Sequence, residues 1–108
     1  MTDKEKTTRE FTTRVFKALA HPTRLLFVET LAERERCVCE LKAMVAADLS
    51  TVSKHLSVLR EAGIVEIEKR GNQVFYRLKL CCVMGFVRCM RAEMDSQVRR
   101  QSAWLRRK

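Results

Sequence analysis

Two cysteines separated by one residue, Cys37 and Cys39, are the part of this sequence best suited to chemistry. Thiolates are soft donors, so such a pair suits As(III), Sb(III), Cd(II) or Zn(II) better than hard cations. Side chains two residues apart diverge on a regular helix, so joint binding of one ion requires an irregular junction here. The spacing is equally compatible with two buried structural cysteines.

The remaining reactive side chains do not form an enzyme-like set. The chain has five cysteines and no recognisable export signal, which predicts reduced thiols. Its two histidines, His21 and His55, lie in different predicted elements and support neither a Cys-His nucleophile nor a histidine-rich zinc site. The sequence therefore predicts a protein that is not an enzyme.

Charge and length restrict the class of protein further. The 108 residues match one domain, spanning 1–108, and the net charge of +9 predicts a polyanionic partner. Nucleic acid is the first expectation and an anionic membrane surface the second. No apolar run is long enough to span a membrane, so we expect a soluble, cytoplasmic protein.

The reactive residues must be positioned by a mainly helical fold. Apolar residues at helical spacing predict helices at 8–19, 22–33, 49–62 and 82–103, and a short helix that ends near Val45. Asp48 and Gly63 mark the two ends of the 49–62 helix. Alternating apolar residues on both sides of the turn at 70–73 predict a β-hairpin. The first seven and last five residues are expected to be flexible.

Helices followed by a β-hairpin predict a winged helix-turn-helix, mainly α, with flanking first and last helices. Four segments then resemble the ArsR/SmtB family of dimeric metal- and metalloid-sensing repressors, over about residues 8–98. They are KALAHPTR (17–24), CVCEL (37–41), LSTVSKHLSVLREAGIV (49–65) and RGNQVFYRL (70–78). Two residues depart from the family pattern: His21 replaces the usual Asp, and Lys42 stands where the best-known arsenic sensors have a third cysteine.

The resemblance implies a DNA-reading helix at 49–61 and a wing at the hairpin. Side chains of this helix would face base edges in the major groove, and the hairpin tip would lie along the backbone or minor groove. The predicted DNA contacts are Ser50, Thr51, Ser53, Lys54 and His55 on the helix, with Arg70 and Asn72 on the wing.

The resemblance also implies that Cys37 and Cys39 bind the inducer. In a winged helix the segment at Cys37 pairs with the second hairpin strand, which would place it near residues 78–80 and the start of the final helix. Cys82 is therefore the first choice for a third ligand and Cys89 the second. These two are separated by a rise of about 10.5 Å on a helix and cannot easily share one ion within a chain.

The expected function is repression by a homodimer, paired through its first and last helices, that binds a double-stranded DNA operator. As(III) or Sb(III) would release it, with Cd(II) or Zn(II) as alternative inducers. Two other functions remain open: a redox-sensing repressor in which oxidants link cysteines, and an architectural DNA-binding protein with structural cysteines.

Overall fold

The computed structural model describes residues 2–106 and consists of five helices and a small sheet. The described elements, in chain order, are α1 (Asp3–Leu19), α2 (Pro22–Glu33), β1 (Arg36–Cys37), α3 (Val38–Ala43), α4 (Leu49–Glu61), β2 (Val65–Arg70), β3 (Gln73–Leu78) and α5 (Cys82–Arg106). The prediction of a mainly α fold with a β-hairpin is confirmed. None of the helices in this part of the chain is long and apolar enough to cross a membrane.

The two terminal helices are longer than predicted. Thr2 and Glu5 form a capping box, in which each side chain accepts a hydrogen bond from the backbone N–H of the other residue, so α1 begins at Asp3. At the other end α5 continues to Arg106. Residues 3–7 and 104–106, which were expected to be flexible, are therefore helical in this structure, and Thr2 is the N-cap of α1, while positions 1, 107 and 108 lie outside the described residues.

Helix α4 begins and ends where its sequence signals predict. The Asp48 carboxylate accepts a hydrogen bond from the backbone N–H of Thr51 at 2.8 Å and another from the Ser50 hydroxyl at 2.9 Å. These bonds hold the pKa of Asp48 below its ordinary value, because they stabilise the ionised carboxylate. Gly63 adopts φ +78° directly after the helix, a left-handed conformation that glycine adopts without steric cost.

The sheet has strand order β1-β3-β2 and is antiparallel throughout. Strands β2 and β3 form the wing, whose tip is the two-residue turn of Gly71 and Asn72. The short strand β1 pairs with β3 as predicted, but Cys37 lies opposite Phe75. The prediction that Cys37 lies near residues 78–80 is therefore wrong, and the true register is at least three residues closer to the wing tip.

The core is centred on α2 and α4, and the end of α1, helix α3, the base of the wing and the start of α5 pack around them. The predicted apolar face of α4, formed by Val52, Leu56 and Leu59, is fully buried. In α2 the buried positions include Phe27, which is fully buried, whereas Leu26 is exposed. Large apolar side chains that remain exposed lie mainly on α1 and α5, and they include Phe11, Phe16, Phe86, Met90, Met94 and Val98.

Candidate thiol site and nucleic-acid interface

Cys37 and Cys39 meet at an irregular strand-to-helix junction. Cys37 ends β1 and is also the N-cap of α3, with extended backbone angles of φ −78° and ψ 161°. The two Cα atoms are 5.4 Å apart and a disulfide joins the sulfurs. The expectation of reduced thiols is thus wrong for this pair, because the junction turns both side chains toward each other. Cys81, Cys82 and Cys89 are free and exposed.

Charged side chains hold the junction in place. The backbone N–H of Cys37 donates to Oε1 of Glu40 at 3.3 Å, and Nη2 of Arg34 donates to Oε2 of the same carboxylate at 3.0 Å. These bonds, the backbone one foremost, keep the pKa of Glu40 below its ordinary value. Glu40 therefore stays ionised at neutral pH and anchors the start of α3 to the segment before β1.

The thiol pair opens onto a cleft of about 730 Å³, called the tip cleft below. Three elements contribute its walls: the start of α3, one face of α4 and the tip of the wing. The lining residues are Cys37, Val38, Cys39, Lys42, Leu49, Ser53, Asn72, Gln73 and Val74. Two residues predicted to contact DNA, Ser53 and Asn72, therefore line the same cleft as both cysteines of the pair.

Cys82 lies at a different place in the fold. It lines an apolar groove of about 510 Å³ between α1 and α5, together with Phe11 and Phe86. Cys37 pairs with Phe75, three residues or roughly 10 Å before the end of β3, whereas Cys82 begins α5 after that strand and lines a different groove. Within one chain the structure therefore does not bring Cys82 to the thiol pair. Across residues 2–106, no three His, Cys, Asp or Glu side chains are grouped closely enough to hold a metal ion.

Four of the five residues of α4 that were predicted to contact DNA are exposed to solvent: Ser50, Thr51, Ser53 and Lys54. His55 is different, because it is partly buried and its ring lies against His21, with centroids 4.3 Å apart. Burial lowers the pKa of His55, and the nearby His21 and Arg24 lower it further. His55 therefore contacts the start of α2 in this structure.

The two predicted wing residues also differ. Asn72 is exposed at the tip, whereas the guanidinium of Arg70 forms ion pairs with Glu35 and Glu68. The hydrogen bonds to both carboxylates raise the pKa of Arg70, which keeps it charged. Sequence reasoning missed both carboxylate partners of Arg70. A signal was available for Glu68, because Glu68 and Arg70 are two residues apart on β2 and so share one face of the strand.

The arrangement of α3, α4 and the hairpin defines a winged helix-turn-helix domain. Helix α4 presents an exposed polar face beside the wing, and its other face forms the core. Residues 21–66 match the family model described as bacterial regulatory protein, arsR family.

Relatives and solved structures agree with this class. The chain is 48% identical over 64 residues to the biofilm growth-associated repressor of Agrobacterium fabrum, a match that covers 59% of this chain and 55% of the relative. It is 40% identical to the crystal structure of the transcriptional repressor BigR from Xylella fastidiosa, with a TM-score of 0.69 and coverage of 83% and 93% of the two chains. A homodimeric winged helix-turn-helix DNA-binding domain from Mycobacterium bovis gives a TM-score of 0.79 at 28% identity, covering 91% of each chain.

This chain belongs to the ArsR family of bacterial regulatory proteins. The family resemblance of the sequence is thereby confirmed, as is the winged helix-turn-helix fold.

Proposed function

We propose that this protein is a dimeric transcriptional repressor that leaves its operator when a thiophilic metalloid, As(III) or Sb(III), binds Cys37 and Cys39. The observation that carries the proposal is the tip cleft, in which the thiol pair lies beside Ser53 of α4 and Asn72 of the wing. A ligand held there would lie between the two elements that a winged helix uses to contact DNA.

DNA binding is proposed to use the exposed face of α4 in the major groove. Ser50, Thr51, Ser53 and Lys54 offer hydrogen-bond donors and acceptors suited to base edges. Two copies related by a two-fold axis would present two such helices to a palindromic site. The homodimeric neighbour from Mycobacterium bovis supports this assembly.

The donor set at the thiol pair fits a metalloid, once the disulfide is reduced. As(III) prefers three thiolates in a pyramidal site, and this junction offers two in one chain. The third position would go to water, to an external thiol, or to Cys82 of a second subunit. Cd(II) and Zn(II) remain alternative inducers, but a tetrahedral site would need two further ligands.

Induction requires that the metalloid bind free protein more tightly than DNA-bound protein. Thiolate ligation fixes the spacing of the two sulfurs and hence the backbone at the start of α3, next to the tip cleft. By reciprocity, operator DNA weakens metalloid binding by the same factor.

Operator binding by cysteine variants tests the proposal. Cys37→Ser and Cys39→Ser should bind the operator like the wild type yet remain bound when arsenite is added, in a fluorescence anisotropy titration of reduced protein. Cys81→Ser is the matched control and should release normally. Release by arsenite in the Cys37→Ser/Cys39→Ser double variant would overturn the proposal.

A second candidate function is redox sensing, which the Cys37–Cys39 disulfide favours. Oxidation of two thiols to this disulfide gives up two protons and two electrons to an oxidant such as a peroxide, which becomes water. Reversible loss of operator binding with peroxide, absent in Cys39→Ser, together with no response to arsenite, would support it. If neither reagent changes operator binding, an architectural role with structural cysteines remains.

A further inference from the structure

We infer that Arg70 is a positioning residue that fastens the wing tip to the segment before the thiol pair, and so transmits the state of Cys37 and Cys39 to the wing. The consequence for operator release rests on the function proposed above. The link between the two segments is a property of the fold and can be tested without DNA.

The contact between Arg70 and Glu35 is a two-pronged ion pair. Nη1 of Arg70 lies 2.5 Å from Oε1 of Glu35, and Nη2 lies 2.9 Å from Oε2. Such a fork fixes the orientation of both side chains as well as their distance. Nη2 also donates to Oε2 of Glu68 at 2.8 Å, so a carboxylate of its own strand holds the guanidinium from the other side.

The positions of the two residues give this contact its importance. Arg70 is the last residue of β2 and directly precedes the wing tip. Glu35 directly precedes β1 and lies two residues before Cys37. Because β3 separates β1 from β2, the ion pair crosses the whole width of the sheet near the wing tip.

Phe75 forms a third contact with the guanidinium of Arg70. The guanidinium carbon of Arg70 lies 4.7 Å from the centroid of the Phe75 ring, a cation–π arrangement. Phe75 is the residue of β3 that pairs with Cys37 on one side and with Glu68 on the other. A single exposed ion pair contributes little, but a fork, a second carboxylate and an aromatic ring together restrict Arg70 to one position.

The local charge argues against Arg70 as a phosphate contact. Glu35, Glu66 and Glu68 surround it and its neighbour Arg77, which pairs with Glu66 at 2.7 Å and with Glu68 at 3.3 Å. On the wing itself Glu66 and Glu68 balance Arg70 and Arg77, and Glu35 adds a carboxylate from the segment before β1, so this cluster has no excess positive charge to attract a DNA backbone. We therefore infer a positioning role for Arg70, and the salt dependence of operator binding distinguishes this role from the sequence-based prediction that Arg70 contacts DNA.

Hydrogen exchange at the wing tip tests the connection in the full chain without DNA. The amides of residues 71–74 are followed with the thiol pair reduced by dithiothreitol and oxidised by diamide. We expect exchange rates there to differ at least about threefold between the two states in the wild type, and Glu35→Gln to remove most of that difference. Glu66→Gln, which disrupts only the Arg77 pair, is the matched control and should retain it. Equal exchange in the two wild-type states, or an undiminished difference in Glu35→Gln, would overturn the inference.

The salt dependence of operator binding separates positioning from phosphate binding. If Arg70 binds a phosphate, Arg70→Gln should make the slope of log K for operator binding against log salt concentration shallower by about one. If Arg70 is a positioning residue, the variant should keep the wild-type slope. A shallower slope would therefore overturn the inference. If arsenite does not release the operator from the reduced wild type while the exchange difference persists, the proposed function fails and the connection stands.

Discussion

The imidazole of His55, on α4, lies against the imidazole of His21, with ring centroids 4.3 Å apart and planes tilted by 44°. His21 is also the N-cap of α2, where its Nδ1 accepts a hydrogen bond from the backbone N–H of Thr23 at 3.1 Å. A positive charge on His55 would therefore affect the packing of α4 and the start of α2 together.

This contact predicts loss of stability in mild acid. Burial lowers the pKa of His55, so the unfolded chain binds a proton at higher pH than the folded chain does. Stability must then fall as the pH drops through about 6.5, the ordinary histidine value. Urea denaturation between pH 8 and 5 should show this fall in the wild type and a flatter profile in His55→Gln. An identical profile in the variant would contradict the prediction.

Base reading by α4 predicts weaker operator binding after truncation of its exposed side chains. Ser53→Ala and Lys54→Ala should each cost about 1 to 3 kcal/mol of operator binding, because their hydrogen bonds to base edges are removed. Circular dichroism should show unchanged helicity. Lys4→Ala, on exposed α1, is the control for the removal of one charge. Wild-type affinity in both α4 variants would show that a different surface of the protein contacts the bases.

Exposed apolar side chains predict a dimer formed by α1 and α5. Phe86 is 51% exposed and meets Phe16 edge to face at 5.8 Å, so the two helices already share one apolar surface. Phe86→Glu should shift sedimentation at micromolar protein from dimer to monomer, since it would place a charge in the interface. Met44→Glu, at an exposed apolar residue after α3, should remain dimeric. A monomeric wild type that still binds DNA would refute the dimer.

The separation of Cys82 from the thiol pair predicts the sulfur count of an arsenite complex. X-ray absorption on the reduced protein without external thiol should show two sulfurs per arsenic. Cys81→Ser should leave the count unchanged. Three sulfurs in the wild type and two in Cys82→Ser would show that a second subunit supplies Cys82.

Replacement of Gly63 and of Gly85 by alanine should have opposite effects on the free energy of unfolding. Gly63 has φ +78° and Gly85 lies within α5, and an added Cβ would meet no atom within 4 Å at either. Gly63→Ala should destabilise the fold by about 1 kcal/mol because alanine is strained in the left-handed region. Gly85→Ala should stabilise it by about 0.5 to 1 kcal/mol through lower backbone entropy of the unfolded chain. Chemical denaturation measures both, and equal effects would contradict the backbone explanation.

The sequence by itself determined the local structure and the class of protein. The Asp48 cap, Gly63 and the hairpin turn are short-range signals, so α4 and the wing could be placed to within a residue. The start of α2 at Pro22 follows in the same way, because proline suits the first position of a helix. Buried positions of α4 were predictable because helical periodicity depends on spacing alone.

Tertiary structure alone decided which of these residues meet. The register of β1 depends on how α3 packs beside the sheet, and it placed Cys37 opposite Phe75 and away from Cys82. The Arg70 to Glu35 pair joins residues 35 positions apart, and His55 meets His21 across two helices. Local propensity carries no information about such distances, because side-chain pairing across a sheet and between helices is fixed only when the core has packed.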